Sequence, residues 1–297
     1  MRPAAAASLI AVALALLAGS GNLREAGRHL PDQLMASSAA LPLTRGVKIM
    51  NPAPDIPIVP DPVIAVPAVP VAPVGPAVPL AAGPAPKATG VPIRIAALDG
   101  NKTRFAGLVP MESPFEVVTP GQQPDFVWDP GSRDVIASGD IIARDIDSAD
   151  LPSVVDRMAM VRGIKQMTAL APLSLRLTPD TKVHNRKSTV ELTVDDVQGR
   201  AFYLINVAGD GTVQTLYPVG NDPQLYDKAQ FRMKFEAREP FGADQLVAIS
   251  TTAPLAEFEQ AIKPLNERRA AGKLVKLLAR FGTPGMRLGS VALYTAP

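Results

Sequence analysis

The chain has 297 residues, 31 of them proline, and is 47% hydrophobic but only 5% aromatic, so a packed core must be shorter than the chain. Thirty basic residues against 28 acidic ones, net +2, leave no broad cationic field, and nucleic-acid binding, which works through such a field, is set aside. Cysteine is absent and the two histidines, His29 and His184, lie far apart; disulfides, thiolate metal sites and thiol nucleophiles are excluded, which nearly exhausts the common machinery of nucleophilic and metal catalysis and leaves an all-carboxylate mechanism open in principle.

Residues 1–21, MRPAAAASLIAVALALLAGSG, carry a small positive start at Arg2, an unbroken apolar run from Ala4 to Ala18, and Ala18 and Ser20 at the −3 and −1 positions of a cleavage site. This is the pattern of a secretory signal, and the alternative is an uncleaved inner-membrane anchor over residues 4–21. A lipoprotein is excluded because the lipid attaches to cysteine. Residues 22–50 have mixed charge and no sustained period, and Asn51 to Pro92 repeats proline every two or three positions, as at Pro67, Pro70, Pro73, Pro76 and Pro79. Each proline fixes its own φ and biases its predecessor toward extended backbone. The stretch predicts a semi-rigid tether rising about 3.1 Å per residue, with a reach on the order of 100 Å. A PxxP ligand is the sharper alternative, but no flanking Arg or Lys marks an orientation. Residues 1–92 form a disordered N-terminal third on this reading and are expected to add nothing to the stability of the rest. Leu41 to Val47 is the stretch best able to contradict that, as an edge strand.

From 93 to 171 the chain predicts a small mixed α/β segment. FEVV at 115–118 and DFVWD at 125–129 are short strands, with Phe126 and Trp128 on one face, and DVIASGDIIARDI at 134–146 is a hairpin about Ser138-Gly139-Asp140. Leu151, Val154, Val155, Met158, Val161, Ile164 and Met167 recur with the period of an amphipathic helix, with Asp150 as its N-cap and Pro152 in the first turn.

Residues 172–297 predict an antiparallel β-sandwich, making the whole mainly β within the α+β class. Leu173, Leu175 and Leu177, then Val190, Leu192 and Val194, then Phe231, Met233 and Phe235 each alternate with polar residues, the pattern of strands with one wet face. AFYLINVA at 201–208 is apolar on both faces and should be central; it turns through Gly209-Asp210-Gly211 into TVQTLY. LVAIST at 246–251 and SVALYT at 290–295 bring the count to about seven strands. Between the last two, Pro264 and Gly272 divide a helical stretch into shorter covering helices. Arg269, Lys273, Lys276 and Arg280 fall on one stripe, and Leu274, Leu277, Leu278 and Phe281 on the other. The basic stripe is read as the solvated back of a helix laid on the sheet, the alternative being a surface for membrane or an acidic partner.

Few residues carry a chemical signal. Asp145, Asp147 and Asp150 resemble a fragment of a calcium loop without its glycine or closing glutamate, and charge before a helix start accounts for them equally. His184 is read as a surface histidine in a polar loop, and Asn101-Lys102-Thr103 as a chance glycosylation acceptor. No catalytic, cofactor-binding or metal residue is assigned.

FYLINVAGDGTVQTLYP at 202–218, followed by EPFGADQLVAISTTAPL at 239–255, resembles a bacterial domain of unknown function often found C-terminal to caspase-like peptidase domains. Gly209, Asp210, Gly211, Tyr217, Pro218, Pro240 and Gly242 carry the likeness, over roughly residues 175–255, and DFVWDPGSRDVIASGDIIA resembles what precedes that domain in some such proteins. The peptidase's Cys–His dyad cannot exist here, so the resemblance implies a β-rich accessory module without transferable site residues. Together these features predict an exported, non-enzymatic envelope protein in the periplasm or at the cell surface, monomeric and without a cofactor. Its module binds a protein partner, with a small-molecule or cell-wall glycan ligand as the alternative and a carboxylate-based hydrolase as the remote one. An aromatic pocket about Trp128 or several tyrosines would favour the glycan.

Overall fold

The computed structural model describes residues 47–50, 91–220 and 222–297. The export segment at 1–21 and nearly all of the tether at 22–92 lie outside the described residues. The exception corrects the expected irregularity of residues 22–50: Val47–Met50 form a strand, β1, in the sheet described below.

The expected short strands of the next segment all form. β2 (Ile93–Ala97), β3 (Phe115–Val117), β4 (Phe126–Asp129), β5 (Asp134–Ala137) and β6 (Asp140–Ala143) make a five-stranded sheet in the order β3-β2-β4-β5-β6. β3 and β4 run parallel to β2, and the rest is antiparallel. The β5–β6 turn places Ser138 at φ 52° and Gly139 at φ 85°, the two left-handed positions of a tight hairpin whose twist matches its strands. β2 went unread in the sequence, although it is the strand about which β3 and β4 are arranged.

α1 (Leu151–Thr168) starts where expected, with Pro152 in its first turn. Asp150 does not cap it: the preceding 3-10 turn, Ser148–Asp150, runs straight into the helix, and the Asp150 side chain makes no capping bond. Nor does the helix have one wet face throughout. Its first two turns are buried on every side, Asp156 and Arg157 included. The reason is that α1 serves two cores: Leu151, Val154 and Val155 pack with Ile95, Phe126 and Trp128 of the five-stranded sheet, while Met160 and Ile164 pack over the sandwich.

The sandwich holds all seven expected strands: β7 (Leu175–Thr178), β9 (Thr189–Val194), β10 (Ala201–Val207), β11 (Thr212–Tyr217), β12 (Phe231–Ala237), β13 (Gly242–Thr251) and β15 (Arg287–Ala296). Three more join them: β1, β8 (His184–Asn185) and β14 (Arg268–Arg269). One sheet has the order β1-β12-β9-β7 and the other β14-β11-β10-β13-β15-β8. Val190, Leu192, Phe231 and Phe235 of the first meet Phe202, Leu204, Leu246 and Leu293 of the second in one core. The reverse face of the larger sheet, through Tyr203, Ile205, Val247 and Ile249, is covered by α1, α2 (Ala256–Ile262) and α3 (Ala271–Phe281). β10 and β13 are therefore buried on both faces, which is why their sequences do not alternate.

α3 lays Leu274 and Leu278 on the sheet as expected, with Leu277 and Phe281 at the margin. Pro264 sits in the 3-10 turn between the helices, whereas Gly272 lies inside the first turn of α3. A Cβ there would stand 2.7 Å from Glu112 Cβ and 2.9 Å from the Asp156 carboxyl, so the glycine serves a close approach. The basic stripe is broken too. Arg269 precedes the helix in β14, and Lys276 is tied to Glu112 at 2.5 Å. No described helix is long and apolar enough to cross a membrane.

Candidate functional site

A cleft of about 290 Å3 opens where the five-stranded sheet meets the sandwich. Its walls are residues 142–146, the Ala208–Asp210 end of the β10–β11 hairpin, the Pro240–Asp244 entry to β13, and Arg269. Two glycines make the junction possible. A Cβ on Gly209 would lie 2.1 Å from the Ile142 carbonyl oxygen, and one on Gly242 would lie 2.7 Å from the same atom. Both are contacts that real Cβ atoms do not make, and both are with backbone. Around them the turn is stitched down by polar groups. The Asp210 carboxylate accepts from Thr212 N at 2.9 Å and meets Arg269 Nε at 3.3 Å, and the Ser153 hydroxyl lies 2.7 Å from the Asp210 carbonyl. Arg269 reaches on to Asp150, so the acid expected to cap α1 instead anchors the cleft arginine.

Beneath this rim lies a buried polar cluster that sequence reasoning missed. Asp244, 6% exposed, accepts from Asn206 Nδ2 at 3.3 Å, and the same nitrogen lies 3.3 Å from Gln214 Oε1. Asn206, Gln214 and Asp244 sit on the three adjacent strands β10, β11 and β13. Arg157, buried in α1, donates from Nη2 to the Ala243 carbonyl at 2.5 Å. Burial pushes the Asp244 carboxyl up to about 7, against the pull of the Asn206 hydrogen bond and the Arg157 charge. Burial likewise lowers the Arg157 guanidinium, with the Asp244 charge opposing. Asn206 Oδ1, Arg157 Nε and Arg144 Nε are buried without a hydrogen-bond partner among the described residues. The available signals were Asn206 and Asp244 interrupting apolar strands and Arg157 inside an apolar helical turn, each of which reads as an ordinary edge residue without the neighbouring elements.

The residues singled out in the sequence are dispersed. Asp145 and Asp147 both pair with Arg133, at 2.7 and 3.3 Å, and Asp150 with Arg269, so the calcium-like acids do not converge. Among the described residues no three His, Cys, Asp or Glu are placed to hold a metal. His184 is not a surface residue: it is 3% exposed, in β8, which adds to β15 in parallel. Its Nδ1 lies 3.3 Å from Thr181 Oγ1, its Nε2 is unpaired among the described residues, and burial lowers its pKa. Trp128 is 5% exposed and donates to the Ile146 carbonyl at 2.9 Å, while Tyr203 and Tyr217 are in the sandwich cores. The one aromatic residue lining the cleft is Phe241. Asn101 caps a 3-10 turn through Thr103 N and Oγ1. His29 lies outside the described residues.

No protein-family model matches the sequence, and no curated protein matches it.

Proposed function

We propose that this is an exported, non-catalytic envelope protein whose C-terminal β-rich module binds a protein partner at the cleft, carried on the proline-rich tether. The observation that carries the reading is the composition of the cleft. Arg144, Asp145, Asp210, Asp244 and Arg269 line it with a single aromatic ring, Phe241. A mixed-sign polar wall suits complementary charged and backbone groups of a protein segment, while a glycan site would call for the exposed ring faces that Trp128 and the buried tyrosines withhold. The resemblance to the domain that follows caspase-like peptidases is part of this proposal. In its support, Gly209, Asp210, Pro240 and Gly242, four of the residues that carry it, gather at this cleft.

The test is capture from envelope extract with the full chain, compared with Arg144→Gln and Asp145→Asn. Asn is chosen because Asp145 has φ 55°, which Asn tolerates. One protein enriched by the wild type and lost with either variant is the expected result. Equal recovery by all three chains, or background alone, would sink the reading.

A further inference from the structure

We propose that the loop at residues 109–111 and the exposed side of α3 together form a docking surface for an anionic lipid bilayer. The loop follows Phe105 and Leu108, which pack with the core of the five-stranded sheet. It is caught again at Glu112, whose N–H donates to the Asp156 carboxylate at 3.2 Å. Between these anchors Val109, Pro110 and Met111 all face water, Val109 at 73% exposure and Met111 at 55%. Apolar residues scattered singly over a surface need no explanation. Here two large ones flank a proline at the tip of a loop pinned on both sides, so the anchors themselves hold them out.

Glu112 also fixes where the tip lies. Its Cβ is the atom for which Gly272 of α3 makes room, and its carboxylate meets Lys276 Nζ at 2.5 Å. That hydrogen bond lowers the Glu112 pKa, with burial opposing and the charges of Lys276 and Lys273 assisting. The tip is within three residues of this contact, at most about 11 Å along the chain. Lys273, Lys276 and Arg280 are exposed and follow one another at helical spacings of three and four, on the side of α3 away from Leu274 and Leu278. Lys273 and Arg280 make no ion pair among the described residues. One acid against three cations leaves the surface beside the tip net positive. A positive surface around an apolar tip matches a bilayer, which is anionic at its headgroups and apolar just beneath them. An acidic protein would use the cations and leave Val109 and Met111 in water, while an apolar pocket would take the tip and leave the cations unmatched. The inference is independent of the cleft, and it adds a contact with membrane beyond the N-terminal segment.

Because the apolar run at residues 4–18 can attach the full chain to any vesicle, binding is read at the loop itself. The chain has no cysteine, so Met111→Cys in the full-length protein takes one environment-sensitive fluorophore at the tip. Leu225→Cys, an exposed apolar position beside Tyr226 of the other core, takes the same label as a control. The probes are vesicles of phosphatidylcholine alone, or with about one third phosphatidylglycerol. On the anionic vesicles only, the label at 111 should shift to shorter wavelength and be quenched by spin-labelled acyl chains, while the label at 225 does neither. Adding Lys273→Gln and Arg280→Gln should lower the tip's bound-to-free ratio about 25-fold, about fivefold for each cation, with Trp128 emission unchanged. With the cations in place, Val109→Ser should lower that ratio about tenfold. No shift at 111, an equal shift on pure phosphatidylcholine, an equal response at 225, or a response indifferent to the loss of both cations overturns the proposal. Binding of polyglutamate without any response to vesicles would give the surface to an acidic protein and overturns it too.

Discussion

Replacing Asp244 by asparagine should remove a pH-dependent weakness from the fold. Asp244 is buried, and its carboxyl is pushed up to about 7 by that burial, against about 3.9 in an unfolded chain. A raised carboxyl pKa means that the unfolded chain releases its proton first. The native state is therefore progressively disfavoured as pH rises from about 4 to about 7, and the effect levels off above that. The full gap of about three pH units corresponds to roughly 4 kcal/mol at 1.36 kcal/mol each, of which about 2.5 kcal/mol falls between pH 5 and pH 8. Asparagine keeps an oxygen for the Asn206 amide and cannot ionise. Urea unfolding of wild type and Asp244→Asn at half-unit steps from pH 5 to 8 should show the variant gaining relative stability by about 2.5 kcal/mol over that range. Using the difference between the two proteins cancels every other titrating group. A difference independent of pH, or a variant weaker at pH 8, would mean that an ionised Asp244 is a favourable partner of Arg157, and the reasoning would fail.

His184 should titrate in the opposite sense: with its pKa lowered by burial, it holds stability above about pH 6.5 and loses it as pH falls through the folded value, and its imidazole proton resonances should report a midpoint below that of a free histidine. Gly209→Ala should cost about 1–3 kcal/mol in urea unfolding, because the new methyl meets the Ile142 carbonyl and backbone yields little; a variant as stable as wild type would show that the seam is loose. Trp128, the single tryptophan, should emit at short wavelength and resist soluble quenchers until the five-stranded sheet unfolds. Trp128→Phe, which leaves the Ile146 carbonyl unpaired, should lower stability by about 1–3 kcal/mol.

What was legible in the sequence was what a single element determines by itself. The alternation of Val190, Leu192 and Val194, and of Phe231 and Phe235, needs only one sheet face against one core, and both strands formed as read. The Ser138-Gly139 turn needs only two left-handed residues in sequence. The misreadings share a different origin. Asp150 has every local attribute of a cap, but Arg269, 119 residues away, takes its carboxylate. His184 sits among polar neighbours, yet two residues of pairing with the end of β15 bury it. Gly272 looks like a helix breaker and is instead the point where α3 clears Glu112 and Asp156. The candidate site belongs wholly to this second kind, since its walls come from residues 142–146, 208–210, 240–244 and 269.

The buried cluster beneath the cleft bears on why that site exists. Apolar replacements of buried charged groups are often neutral or stabilising, so such groups are weak evidence of stability, and Asp244 with a carboxyl near 7 is a case where ionisation opposes folding. Arg157 spends its one described side-chain bond to oxygen on the Ala243 carbonyl, beside Asp244, and the Asn206 carbonyl oxygen has no partner among the described residues. These are the groups that a core selected for stability alone would replace with leucine or valine, as the rest of β10 and β13 has done at Leu204, Val207, Leu246 and Val247. Their position under a cleft walled by two close-packed glycines ties their cost to that location. A partner that accepts a hydrogen bond from the protonated Asp244 carboxyl would engage that form selectively, and binding should then be tightest below about pH 7. Binding measured across pH 6 to 8 should weaken as pH rises for the wild type and stay level for Asp244→Asn. The same pH dependence in both proteins would disconnect the buried cluster from the partner.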